Sequence, residues 1–399
     1  MEQYDVIVVG AGPVGCFVAS EIAKEQYKVA LIEEHAHAGL PLQCAGLITP
    51  RVFETFNISS QNIVQNEIYG ANIHSPSGDV LSVGGDKRHA FVIDRSQFDA
   101  KLASQATNAG AVLFTGARVI SAKKTDHTMA LNAKQSNTQM QLAGNLIVGA
   151  DGPHSFIRKA FNFPEPKEML KGIGAEITDV NLDSRCVEIF LGNDIAPGFF
   201  AWIIPINKNG TKARVGLCVT SQAPHQIKHY FSHFLNHPLT APYLRDAVFT
   251  TPIAGSIPLG TPKKTVSDHV MLVGDAAAQV KPTSGGGIYT GLLSARCCAS
   301  VAIDALQQES FSEKTLSQYH KKWTDEIGKE LTFGMMFRKI FTNLRDKDID
   351  AYIKKLNNEE TIEIINECGD IDYPSHLIRP LVKKKPSLLK LISHYRKQR

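Results

Sequence analysis

Gly10, Gly12 and Gly15, with an acid further on at Glu33, have the spacing of a dinucleotide cradle. Gly10 permits a tight turn, Gly12 lets backbone approach a pyrophosphate, and Gly15 lets a helix pack closely on a strand. Free N–H groups at the start of that helix can meet phosphate oxygens. Glu33 can accept hydrogen bonds from ribose hydroxyls, and its charge would repel a 2′-phosphate. Two later strand ends carry carboxylates. One is Asp151-Gly152, followed by Pro153, His154, Ser155 and Arg158. The other is Gly274-Asp275, followed by Lys281, Pro282 and Gly285-Gly286-Gly287. A carboxylate so placed can bond a ribityl hydroxyl. Three consecutive glycines at a helix start let backbone N–H groups reach a flat ring and hold negative charge there.

These residues need a frame. Tyr4–Val9 is a β-branched run suited to a buried parallel strand, Cys16–Lys24 continues as a helix, and Val29–Ile32 is a second strand ending at Glu33. Cys186–Leu191, Phe199–Ile204 and Arg214–Val219 read as strands of an antiparallel sheet within 170–254. The interval 71–94 alternates strand-like runs with a Ser-Pro-Ser-Gly turn. Beyond residue 310 the spacing turns helical, with Ile349, Tyr352, Ile353 and Leu356, then Ile362, Ile365 and Cys368.

The segments GAGPVG (10–15), GADGPHS (149–155) and VGDAAAQVKPTSGGG (273–287) resemble those of para-hydroxybenzoate hydroxylase-type flavoproteins. Asp94-Arg95-Ser-Gln-Phe98-Asp99-Ala-Lys-Leu102 resembles the helix start R-x-x-F-D-x-x-L of the same group. The likeness covers roughly residues 1 to 310. It implies FAD on a split Rossmann-like fold, α/β in its cofactor domain and α+β overall. The cofactor residues would be Gly10, Gly12, Gly15, Glu33, Arg95, Asp151, Asp275, Gly285, Gly286 and Gly287. Arg95 would lie near the phosphates, Asp275 on the ribityl chain or pyrophosphate, and the three glycines at the pyrimidine edge. The implied FAD-binding pieces are 1–70, 95–165 and 255–310. An antiparallel substrate sheet would take 71–94 and 170–254, and a helical region with a basic tail 311–399.

Two further segments resemble the geranylgeranyl reductase family. They are Gly39-Leu-Pro-Leu-Gln43-Cys44-Ala-Gly46-Leu-Ile48, and Ala196-Pro197-Gly-Phe199-Phe200-Ala-Trp202-Ile-Ile204-Pro205, with Gly255-Ser-Ile-Pro258 in support. The likeness implies reduction of isolated double bonds in isoprenoid chains. Its cysteine–glycine segment would lie beside the flavin, and its P-x-x-Y-x-W-x-F-P segment would line a lipid cavity. Gly46, Pro197, Phe199, Phe200, Trp202 and Pro205 are then the substrate-side residues. Phe200 stands where that pattern has tyrosine and Ile204 where it has phenylalanine, so one phenolic proton donor is absent. Flavin-dependent halogenases share a related aromatic segment, but the lysine they need has no counterpart in residues 29–86.

Saturating an unactivated alkene requires a hydride from flavin and a proton on the other carbon. The site should exclude water and be lined with aromatic faces that tolerate developing positive charge. Phe199, Phe200 and Trp202 could supply those faces, and in a strand Phe200 and Trp202 share one side. The bland alternative makes them core of the substrate domain. Cys44 is the residue expected to donate the proton or position the substrate, since a thiol is mostly protonated at neutral pH. Cys16, Cys186, Cys218, Cys297 and Cys298 read as inert buried thiols, and His35, His37 and His154 as non-catalytic. Only one dinucleotide fingerprint is present, so electrons would come from transient NAD(P)H binding or from a reduced ferredoxin-like carrier. The rival functions are an aromatic-ring monooxygenase and a lipid-binding flavoprotein without reductase activity.

With 43% hydrophobic and 21% charged residues, the composition is that of a core-forming chain, not a disordered one. No apolar run has the length of a membrane span. The seven cysteines have no zinc-type spacing, so neither a metal nor a disulfide framework is expected. The start of the sequence carries no signal-peptide pattern, and a cytoplasmic protein is expected. Net charge is +4, yet Lys383 to Arg399 alone holds seven cations and no acid. The body is therefore slightly acidic, which argues against nucleic acid. Placed on a helix, Leu388, Leu391, Ile392 and Tyr395 share one face, so the tail reads as a peripheral contact with anionic lipid.

Overall fold

A computed structural model describes residues 2–125, 128–136 and 138–384. Most of the basic tail, including Leu388 to Arg396, lies outside the described residues. The strand Glu2–Val9 is the centre of an eight-stranded sheet. It pairs in parallel with Val29–Ile32 on one side and Thr138–Gly149 on the other. Val112–Phe114 and Val270–Leu272 extend the parallel set outward. Val6, Ile7 and Val8 are fully buried because both faces of these strands are covered. The parallel register brings one end of each strand to a common edge. Gly10, Glu33, Asp151 and Gly274 therefore meet there, outside the carboxyl ends of the strands, where open α/β sheets bind ligands. Helices Pro13–Lys24, Arg95–Asn108 and Ile288–Gln307 pack on one face through Val18, Ile22, Phe98, Leu102, Leu292 and Cys298.

A second, seven-stranded sheet runs in the order Val248–Leu259, Glu168–Thr178, Lys212–Thr220, Ala201–Pro205, Cys186–Phe190, Gly70–His74, Val80–Gly84. It is antiparallel except where Cys186–Phe190 lies parallel to Gly70–His74. One face is closed by the helix Ile227–Asn236, whose Tyr230 and Phe234 pack on Ala175, Ile177, Val215 and Leu217. On the other face Val187, Ile204 and Trp202 pack against Ala90 and Val92.

The structure departs from the sequence reading in detail. Ala90–Ile93 does not join the substrate sheet. It pairs with Leu47–Ile48 and Val64–Ile68 in a small third sheet, because Phe91 and Ile93 pack into the dinucleotide-side core beside Phe53 and Phe98. The strand expected from Phe199 begins at Ala201, since the Phe199 N–H closes a turn onto the Ala196 carbonyl. Residues 255–259 continue one long strand of the substrate sheet. The helical region after residue 310 comprises Glu313–Trp323, Lys329–Phe341, Asp346–Leu356, Glu359–Cys368 and Ser375–Lys384. Ile349 and Ile353 bury against Leu81, so the expected helix spacing faces the edge of the substrate sheet. Among the described residues, no helix is long and apolar enough to cross a membrane.

Candidate active site

The glycine turn after the first strand assigns each glycine a separate duty. Gly10 has φ +100°, and a side chain there would collide with the backbone at Ala150. A Cβ on Gly15 would run into the Gly10 carbonyl, so helix and turn touch directly. Gly12 differs from both: its φ is an ordinary −70°, and a Cβ there would meet nothing within 4 Å. Among the described residues nothing requires a glycine there. It keeps space clear in front of a helix start that carries no acidic residue in its first turn. Glu33 closes the turn from the second strand. Its Oε2 accepts the Ala11 N–H at 2.9 Å, and its Oε1 accepts the His35 N–H at 2.9 Å and lies 2.7 Å from His35 Nδ1.

Asp275 is a half-buried acceptor whose carboxylate has no hydrogen-bond partner among the described residues. Burial pushes its carboxyl up to about 6, although Arg95 nearby works in the opposite direction. Its Oδ1 lies 2.9 Å from where a Cβ on Gly287 would be. The loop that follows is stapled by Lys281 N–H to the Gly286 carbonyl at 3.1 Å and Gly285 N–H to the Lys281 carbonyl at 2.9 Å. A Cβ on Gly285 would press on Ile257 at 2.9 Å and lie 3.4 Å from the Phe199 ring. The loop thus bridges the two sheets.

Arg95 joins the third part. Asp94 caps its helix by accepting from the Ser96 and Gln97 N–H groups. The guanidinium grips Asp99 through Nε at 3.0 Å and Nη2 at 2.7 Å. Burial alone would lower its pKa, but Asp99 and Cys44 beside it hold Arg95 above the ordinary arginine range. Cys44 is half-buried, and its Sγ accepts the Gly46 N–H at 3.4 Å. Arg95 therefore draws Cys44 and Asp275 into one site. Cys218 is a neighbouring thiol on the sheet. Burial pushes it up to about 12, with Cys44 adding to that and Arg338 opposing it, so Cys218 is inert at neutral pH.

The sheet face opposite Cys44 has few side chains. Gly172 pairs with both Gly255 and Cys218, and Gly216 pairs with both Gly174 and Trp202. A Cβ on Gly216 would strike the Trp202 ring at 2.6 Å, so the indole lies flat across the glycine. A Cβ on Gly255 would approach the Gln43 carbonyl at 3.1 Å, which brings the cysteine loop over this floor. Phe199 and Phe200 stack at 4.3 Å, and Phe200 meets Trp202 edge-on at 6.1 Å. Phe199 is buried, while Phe200 and Trp202 are half-buried. Phe200 and Trp202 do share one side, as the period of two requires.

Four expected site residues serve the scaffold. Asp151 holds its own turn: its carboxylate accepts from Ser155 Oγ at 2.5 Å and from the Ile157 N–H at 3.0 Å. Gly46 has φ +72°, and a side chain there would collide with Arg214. Pro197 and Pro205 are buried and work through their carbonyls, which accept from the Thr220 N–H at 3.1 Å and from Asn66 Nδ2 at 2.9 Å. Of the histidines, His154 lies 3.1 Å from Ser256 Oγ and links the Asp151 turn to the substrate sheet.

Sequence reasoning missed two arginines. Arg214 is 2% exposed and donates to the Ala45 carbonyl at 3.1 Å, the Ile93 carbonyl at 2.8 Å, Gln65 at 2.9 Å and Glu176 at 2.9 Å. It fixes the backbone next to Cys44. The available signal was an arginine inside the apolar run 213–219. Arg338, from the helix Lys329–Phe341, grips Glu168 through Nε at 2.7 Å and Nη2 at 2.5 Å and donates to the Gly198 carbonyl at 2.8 Å. Its guanidinium lies over the Phe199 ring at 5.4 Å. No local pattern marked it.

A family model described as an FAD binding domain matches residues 3–329. The chain belongs to this FAD-binding family. It is an FAD-dependent oxidoreductase. It is 32% identical over 398 residues to digeranylgeranylglycerophospholipid reductase of Methanocaldococcus jannaschii, covering 98% of this chain and 97% of that one. An uncharacterized protein of the same organism is 31% identical, covering 96% of this chain and 95% of its own length. Among solved structures, a geranylgeranyl bacteriochlorophyll reductase-like protein from Thermoplasma acidophilum superposes with a TM-score of 0.88 at 22% identity, covering 99% of both chains. FAD suits the residues present. The open space at Gly12 would suit a pyrophosphate, and the Asp275 carboxylate, unpartnered among the described residues, would suit a hydroxyl donor.

Proposed function

We propose that this flavoenzyme saturates isoprenoid double bonds of a geranylgeranyl-type lipid. One observation carries the reading. The stacked Phe199–Phe200 pair and Trp202 border a glycine floor and meet the 281–287 loop, with Cys44 on the opposite wall. An apolar chain would lie along the half-buried Phe200 and Trp202 rings, which the glycines let settle close to the sheet. The near-full-length likeness to a reductase named for a digeranylgeranyl lipid supports the substrate class.

Reduced FAD supplies the hydride. Glu33, Arg95, Asp275 and the glycines at 10, 12, 15 and 285–287 would hold the cofactor, and Phe199, Phe200 and Trp202 would orient the alkene and exclude water. Developing positive charge on the alkene would face aromatic rings instead of solvent. Cys44 gives its proton to the substrate carbon. The thiolate left behind is stabilised by Arg95 and by the Gly46 N–H, contacts that strengthen as charge develops. Electrons arrive from NAD(P)H or a reduced ferredoxin-like carrier, and the basic tail meets the lipid surface as a peripheral contact.

The test is anaerobic. Purified protein is reduced with dithionite and mixed with a geranylgeranyl glycerophospholipid. Flavin reoxidation with a saturated product by mass spectrometry is expected. Oxygen consumption stimulated by an aromatic substrate, without anaerobic reoxidation, would turn the assignment to a monooxygenase.

A further inference from the structure

The turn 369–374, between the helices Glu359–Cys368 and Ser375–Lys384, docks on three separate segments of the cofactor side. Asp372 accepts from Lys281 Nζ at 2.5 Å and from Thr49 Oγ1 at 2.5 Å. Lys281 Nζ also donates to the Ile371 carbonyl at 3.2 Å. Asp370 takes both ends of Arg51 at 2.7 Å and receives the Asp372 and Tyr373 N–H groups at 2.9 and 3.1 Å. Tyr373 reaches the Tyr289 hydroxyl at 3.1 Å, at the start of the helix Ile288–Gln307.

The ion pair is the central contact. The side chains of Lys281 and Asp372 are 8% and 1% exposed. A buried ammonium needs a partner, and removing one member of a buried pair leaves the other uncompensated. Lys281 is the first residue of the stapled glycine loop, and its Nζ lies 3.3 Å from where a Cβ on Gly286 would be. Losing Asp372 would drive Lys281 toward water, and the loop would have to move with it.

We propose that Asp372 is a positioning residue for the cofactor site. Through Lys281 it fixes the 281–287 loop, so the C-terminal turn sets how tightly that loop holds FAD. The inference rests on the reading that this loop faces the flavin.

The full-length holoenzyme provides the test, with folding followed by far-ultraviolet circular dichroism. In a folded Asp372→Asn variant the Kd for FAD rises about tenfold or more, and the visible flavin band and reduction potential shift. KM for the lipid, measured at saturating FAD, changes by less than about twofold, because the aromatic wall is untouched. Adding Lys281→Met to D372N leaves the Kd no worse than the weaker-binding single variant, since the two residues act as one unit. Multiplying effects would overturn the proposal, as would a D372N protein with unchanged Kd, spectrum and potential. If D372N does not fold, Lys281→Met/Asp372→Leu replaces the pair with apolar side chains. That variant should also bind FAD about tenfold more weakly, and wild-type affinity with an unchanged spectrum would reject the inference. Wild-type protein that holds FAD while the variants match it sinks only this inference. Wild-type protein that retains no FAD sinks the flavin reading with it.

Discussion

The glycine turn at residues 10–15 and the glycine floor at 172, 216 and 255 both remove side chains, but for different reasons. In the turn, Gly10 and Gly15 are fixed by the chain's own backbone, whereas a side chain on Gly12 would meet open space. On the floor, Gly216 is fixed by the Trp202 ring and the Ile173 carbonyl of the next strand, and Gly255 by a carbonyl of the cysteine loop. The first region is a local device made by consecutive residues. The second exists only after distant strands have found their register. At Gly12 the open space stands before a helix start, and it is that pairing which points to a ligand.

The largest effect should come from Gly15→Ala, whose new methyl meets the Gly10 carbonyl. Titration of apoprotein with FAD should show affinity reduced by at least about a hundredfold, with a lowered melting temperature. Gly12→Ala sharpens the contrast: the apoprotein should melt within about 1 °C of wild type, yet bind FAD about tenfold more weakly. Equal FAD affinity in that variant would mean that nothing occupies the space.

Cys44→Ala tests the opposite wall. It should retain FAD and lose about a hundredfold in single-turnover alkene reduction. Undiminished reduction would remove Cys44 from the chemistry. Gly216→Val should displace Trp202 and lower kcat/KM for the lipid about tenfold while the flavin spectrum stays unchanged. If the spectrum changes as well, the two regions are not separable.

The smallest effect concerns pH. The Asp275 carboxyl is raised from 3.8 to about 6, so the folded apoprotein holds that proton more tightly than the unfolded chain does. This stabilising contribution is complete below about 3.8 and is lost as pH rises through about 6. Asp275→Asn should therefore melt about 2 °C higher than wild-type apoprotein above pH 6, with the gain disappearing toward pH 4. A gain that is constant with pH would mean that Asp275 is not buried in its charged form.

Legibility in the sequence followed the same division. The strand–turn–helix frame was readable because the relevant contacts fall within a few residues of each other or follow strand periodicity. The turn-holding bonds of Asp151 were not readable, because a carboxylate at a strand end looks alike whether it faces a ligand or holds its own turn. Ser155 was the local sign of the second role. Arg214, Arg338 and Lys281 were unreadable as positioning residues because their partners at Ala45, Glu168 and Asp372 lie far along the chain. The Trp202–Gly216 contact depends on register, which no single strand reveals.

Arg214 has a mechanical consequence. One cation ties the cysteine loop, the small third sheet and the substrate sheet together through directional bonds that cannot slide. That seam behaves as a weld. On the other border Phe199, Phe200, Ile257 and Met335 pack as an apolar cluster, and Arg338 holds only its Gly198–Phe199 end. The proposed lipid channel is thus pinned by directional bonds on one side and bordered mainly by packed apolar side chains on the other.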